Sequence, residues 1–191
     1  MKTLHRGLAA FAFATAATAA QAHTGEPGHL HGFVDGVMHP LTGPDHLAAM
    51  LAVGIWSAMA LKHPLRAPIA FAASLLAGAL LSMFTGWQMP AMEAAITVSL
   101  AVLGLLVALR LAMPAVAGAA TAAILAFSHG AAHGLELQGV AALGGMVLST
   151  LVLHGAGLAM GWKLRNAPLL ARALLGASVA ALAVARLSGA A

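Results

Sequence analysis

The sequence predicts an all-α integral membrane protein, a compact bundle of about six transmembrane helices behind a cleaved signal peptide. Three observations predict it. Of 191 residues, 61% are hydrophobic and only 7% charged, with a mean hydropathy of +0.94. A soluble domain carries about 25% charged residues, so a soluble fold is excluded. Six apolar segments follow one another at 33–61, 67–87, 92–112, 114–135, 139–162 and 168–187, each long enough for a span of roughly 20 residues. The charges between them sort by side, as set out below.

Residues 1–22 read as a secretory signal peptide. Lys2 and Arg6 open it, residues 8–20 form its apolar stretch, and Ala20-Gln21-Ala22 is a small-x-small cleavage site. The remaining 23–191 form a single transmembrane domain whose mature N-terminus, His23, lies on the outer side. Residues 23–31 (HTGEPGHLH) are polar and turn-rich. His23, Glu26, His29 and His31 can gather a metal ion there.

With that end outside, Lys62, Arg66, Arg110, Lys163, Arg165 and Arg172 fall on the inner side, and among the mature basic residues only Arg186 falls at the outer end. The acids Glu26, Asp35, Asp45, Glu93 and Glu136 fall outside or in the outer half of a span. This is a positive-inside pattern with both termini outside. It also disposes of a nucleic-acid reading of the +4 net charge, because the basic residues are scattered singly and form no patch. Connections are short, and glycine pairs at four-residue spacing (Gly32/Gly36, Gly130/Gly134, Gly157/Gly161) allow close helix approach.

The chain has no cysteine, so neither disulfides nor thiolate ligands are available. It has ten histidines against five acids, and imidazole is a ligand for borderline metals. The first span opens with His39-Pro40-Leu41-Thr42-Gly43-Pro44-Asp45-His46. Two imidazoles and a carboxylate stand where prolines and a glycine interrupt the helix. Such interruptions are tolerated where they line a cavity or bind an ion. The fourth span carries His129-Gly130-Ala131-Ala132-His133-Gly134-Leu135-Glu136, which sets His129, His133 and Glu136 on one helical stripe. His154 lies alone in the fifth span, and His63 beside Pro64 in an inner loop. Ionisable groups are expensive in a bilayer, at roughly 2.5–3.5 kcal/mol or more at its centre. Two spans that each bear two histidines and a carboxylate therefore point to a metal site. The methionines sit at helical spacing in apolar spans and read as packing. The two motifs also fall on the leading helices of two three-helix halves that cross in opposite directions, as inverted repeats would.

The two motifs together, with the signal peptide and a mature N-terminal histidine, resemble the HupE/UreJ family over essentially the whole chain. His39, Asp45 and His46 match its first motif; His129, Gly130, Ala132, His133, Gly134 and Glu136 match its second, with Ser128 where the family has Phe and Phe127 one place earlier. The resemblance implies a secondary permease of the bacterial cytoplasmic (inner) membrane, multi-pass with a periplasmic N-terminus. Its cargo would be Ni²⁺, with Co²⁺ carried by some relatives, for hydrogenase or urease maturation. On that reading His23, His29, His31 and Glu136 receive the ion, and His39, Asp45, His46, His129 and His133 form the central site. His154 is then an exit-side ligand. No Gly-x-x-x-x-Gly-Lys-Ser/Thr motif is present, so no nucleotide is expected. The partners are the metal ion and the lipid bilayer, with a homo-oligomer left open. The chief rival is an intramembrane metal-dependent hydrolase with Glu136 as base. No nucleophile–base pair supports it, and the chain is not expected to be an enzyme.

Overall fold

The computed structural model describes residues 32–187. The expected signal peptide and the expected metal-gathering residues His23, Glu26, His29 and His31 therefore lie outside the described residues. Seven helices account for the described chain: α1 (Phe33–Thr42), α2 (Pro44–Ala60), α3 (Arg66–Thr85), α4 (Met92–Leu109), α5 (Ala115–Glu136), α6 (Val140–Lys163) and α7 (Leu169–Leu187). The last five are long and apolar enough to cross a membrane.

The first expected segment, 33–61, is two helices rather than one. Pro44 cannot donate a backbone hydrogen bond and resists the helical geometry of the residue before it. Gly43 accordingly adopts φ −86°, ψ 111°, and α1 ends there. Gly43 N–H still donates to His39 O at 3.3 Å, and Leu47 N–H donates to Gly43 O at 2.9 Å. The result is an interrupted helical segment, with Asp45 in the first turn of α2 and His39 in the last turn of α1.

Backbone-to-backbone packing at glycine decides how the helices associate. A Cβ on Gly54 (α2) would stand 2.5 Å from His154 O and 2.8 Å from Leu158 N; one on Gly78 (α3) would stand 2.6 Å from Phe127 O and 2.9 Å from Ala131 N. No side chain fits in either place. α2 thus lies directly on α6, and α3 on α5. Gly36 and Gly145 hold α1 on α6 in the same way, and Gly104 and Gly176 hold α4 against α7. Of the glycines singled out in sequence, Gly32 meets only the Asp35 carboxylate. Ser74 Oγ donates to Ala123 O at 2.7 Å, adding a hydrogen bond to the α3–α5 pair. Three units result: α1–α2–α6, α3–α5 and α4–α7. Replacing Gly78 by valine is expected to separate α3 from α5 and to reduce folded protein in the membrane severely, as read by immunoblot of membranes and by thermal melting of purified protein; wild-type abundance and melting would contradict this packing.

One end of the bundle gathers Asp45, Glu93, Glu136 and Arg186; the other gathers Lys62, Arg66, Arg110, Lys163, Arg165 and Arg172. At this basic end the Trp56 indole N–H donates to Leu111 O at 2.9 Å and Arg110 Nε to Met59 O at 2.7 Å. These bonds fasten α2 to the α4–α5 connection and satisfy polar groups that lipid cannot. His63 is exposed in the α2–α3 loop.

Candidate metal centre

The two histidine motifs meet at the acidic end, where α1 and α2 face α5. His39 Nε2 lies 3.1 Å from Glu136 Oε2, and His133 Nδ1 lies 3.8 Å from the same oxygen. Ligand atoms of His39, His133 and Glu136 all lie within 4.8 Å of one another. A cation with bonds of about 2.1 Å spaces opposed ligands about 4.2 Å apart, so this trio closes on an ion with a movement of a few tenths of an ångström. The His46 ring centroid stands 4.4 Å from that of His133 and 5.3 Å from that of His129, and His39 is 4.8 Å from His133. His133 is thus the hub of the cluster. It is wholly buried.

Fixed side-chain orientation comes from the neighbours. His46 Nδ1 is 2.8 Å from Asp45 Oδ1, which also accepts the His46 backbone N–H at 2.9 Å. A carboxylate on one ring nitrogen fixes the tautomer and leaves the other nitrogen free as a ligand. That nitrogen, His46 Nε2, is buried without a hydrogen-bond partner. The other Asp45 oxygen pairs with Arg186 Nη1 at the end of α7, and Arg186 Nη2 pairs with Glu93. Both oxygens of Asp45, expected from sequence as a ligand, are therefore engaged in placing His46 and α7. His129 Nε2 lies 2.7 Å from Ser99 Oγ on α4, while His129 Nδ1 has no partner.

Both nitrogens of His133 and of His154 are also buried without partners. A buried polar atom left unpaired costs about 1–3 kcal/mol. Six such imidazole nitrogens represent a large cost, and a cation in the cluster would relieve it at one nitrogen each of His46, His129 and His133. His154 does not join the cluster. It lies deeper on α6, its ring 5.1 Å from Phe71.

Two contributors escaped the sequence reading. Ser99 is a hydroxyl in an apolar helix and gave no signal. Arg186 stood out as the lone basic residue among outer acids, a sign that it must pair, but α7 is remote in sequence from Asp45. Ser99→Ala removes the hydrogen bond that fixes His129, and about a tenfold loss of metal affinity is expected. Equilibrium binding to purified protein checks this, and an unchanged affinity would show that the Ser99 contact does not organise the site.

Fold and site together define a multi-pass helical membrane protein with an imidazole–carboxylate cluster on interrupted and paired helices. The family model described as HupE / UreJ protein matches residues 11–186, and the chain belongs to that family. It is 34% identical over 146 residues to Protein HupE of Rhizobium leguminosarum bv. viciae, covering 74% of this chain and 75% of the relative. No solved structure matches the chain.

Proposed function

We propose that the protein is a secondary permease that carries Ni²⁺ inward across the cytoplasmic membrane for hydrogenase or urease maturation, with the basic end of the bundle cytoplasmic. Family membership supports nickel or cobalt transport in an accessory role and not catalysis. The observation that carries the reading is the set of unpartnered buried imidazole nitrogens on His46, His129 and His133 beside the His39–Glu136 pair. In this reading His39, Glu136 and His133 receive the ion, and His46 and His129 complete the nitrogen/oxygen set. Asp45 orients His46, and His154 is the next ligand inward. The leader histidines His23, His29 and His31 raise the local concentration of metal. Inward movement of a divalent cation gains about 4.6 kcal/mol per 100 mV, twice the single-charge value, so no nucleotide is needed.

The glycine contacts support two inverted halves. In each of the pairs Gly54–Gly157 and Gly130–Gly78, a Cβ would strike the carbonyl three residues before the partner glycine. Exchanging the first and fourth spans, and the second and fifth, turns one pair into the other. The third and sixth spans then pair with each other, and Gly104 and Gly176 approach each other's carbonyl reciprocally. The imidazole cluster lies where the α1–α2–α6 and α3–α5 units face each other, and a metal site there would serve alternating access by rocking one unit against the other.

Radioactive nickel uptake by cells expressing the protein tests the reading, with cobalt as competitor. Uptake above that of empty cells is expected, and none would refute transport. His63→Ala, in the loop at the far end, is expected to leave uptake unchanged; a severe loss would show that the route has been misplaced. Protonated imidazole cannot bind metal. Uptake at limiting nickel should therefore fall on acidification, and added nickel should restore it, because proton and metal compete for the same nitrogens. Acid stimulation under a clamped membrane potential would instead indicate proton coupling.

A further inference from the structure

Phe71 is fully buried on α3, and its ring touches both histidine stations. Its centroid lies 6.1 Å from that of His129 and 5.1 Å from that of His154, the latter at an interplanar angle of 90°. Helix register places it below the cluster. Gly78 is level with Gly130, so Phe71 is level with residue 123 of α5, about 9 Å nearer the basic end than His129 at 1.5 Å per residue. Likewise Gly54 is level with Gly157, which puts His154 about 7 Å deeper than His46. Imidazoles thus continue past the cluster, and the ring of Phe71 lies against both His129 and His154.

The contacts also divide by unit. Phe71, His129 and His133 belong to the α3–α5 pair; His39, His46 and His154 belong to α1–α2–α6. Phe71 is one turn from Leu75, whose carbonyl abuts Gly130, so the ring is tied to the backbone that carries His129. Movement between the two units therefore carries Phe71 with His129 and past His154. A benzene ring offers a cation no lone pair and excludes water, and apolar constrictions of this kind close pores.

We propose that Phe71 is the barrier that separates the outer imidazole cluster from His154 and limits passage of a divalent cation between them. This rests on the transport reading above, and the test separates the two. Wild-type protein, Phe71→Trp and Phe71→Leu are purified, shown to be monodisperse in detergent, and reconstituted into vesicles with a potassium–valinomycin potential. Nickel binding is measured by equilibrium dialysis, nickel uptake by an internal indicator, and proton leak by an internal pH dye. Both variants should bind nickel within about threefold of wild type, because the cluster above the ring is intact. The larger indole should slow initial uptake by about tenfold or more, and leucine should raise the proton leak several-fold. Wild-type uptake in Phe71→Trp, or a loss of binding that matches the loss of uptake, would overturn the proposal. If the tryptophan variant does not fold, the leucine variant decides: a proton leak equal to wild type is equally fatal. Wild-type vesicles that bind nickel but never take it up would instead refute transport, and the barrier with it.

Discussion

His133→Ala is expected to abolish nickel uptake, by about a hundredfold or more, without lowering the thermal stability of the protein. His133 contacts His39, His46 and Glu136, so its loss removes the one ligand shared by both sides of the cluster. Losing a ligand or its support costs a metal site at least about 10–100-fold in affinity. Stability should behave differently. Both ring nitrogens are buried without a hydrogen bond, Nδ1 standing 3.8 Å from Glu136, and removing them relieves about 1–3 kcal/mol per unsatisfied group, which offsets the cavity left behind. Uptake by cells and melting of the purified variant are the measurements. A variant that melts far below wild type would mean that His133 is a structural core residue, and one that transports normally would remove it from the site.

The second large effect concerns Asp45. Asp45→Ala leaves Arg186 facing Glu93 alone and frees the His46 ring. Breaking one side of a buried ion pair costs about 3–5 kcal/mol, and the low end applies because the Arg186 side chain keeps 21% of its exposure. Both abundance and uptake should fall. Adding Arg186→Gln removes the half-paired charge and leaves only the exposed Glu93 without its partner, so Asp45→Ala/Arg186→Gln should recover abundance but not uptake, His46 still lacking its orienting carboxylate. Recovery of both would show that Asp45 serves packing alone.

Much of this was legible in the sequence for definite reasons. Apolar length found the five helices long enough to cross a membrane, because a bilayer penalises unsatisfied backbone, and charge sorting found the acidic and basic ends of the bundle. Gly43-Pro44 announced the interruption of the first span, but not that it makes two helices too short to count as spans alone. Helical spacing set His129, His133 and Glu136 on one stripe of α5, and that stripe faces His39 and His46. Spacing could not show which element faces which. The Asp45–Arg186 and Ser99–His129 pairs join residues far apart in the chain, and no local pattern encodes them. The glycines told more than expected: Gly54, Gly78 and Gly104 are isolated in sequence, yet each fixes a helix pair.

The central claim is that imidazoles from both helical units hold one metal ion. X-ray absorption at the nickel edge, on purified protein loaded with one equivalent of Ni²⁺, tests it most directly. Nitrogen and oxygen donors only are predicted, with the outer-shell scattering of at least about three imidazoles, and a clear loss of that scattering in His133→Ala. Sulfur donors, or a spectrum that His133→Ala leaves unchanged, would contradict it.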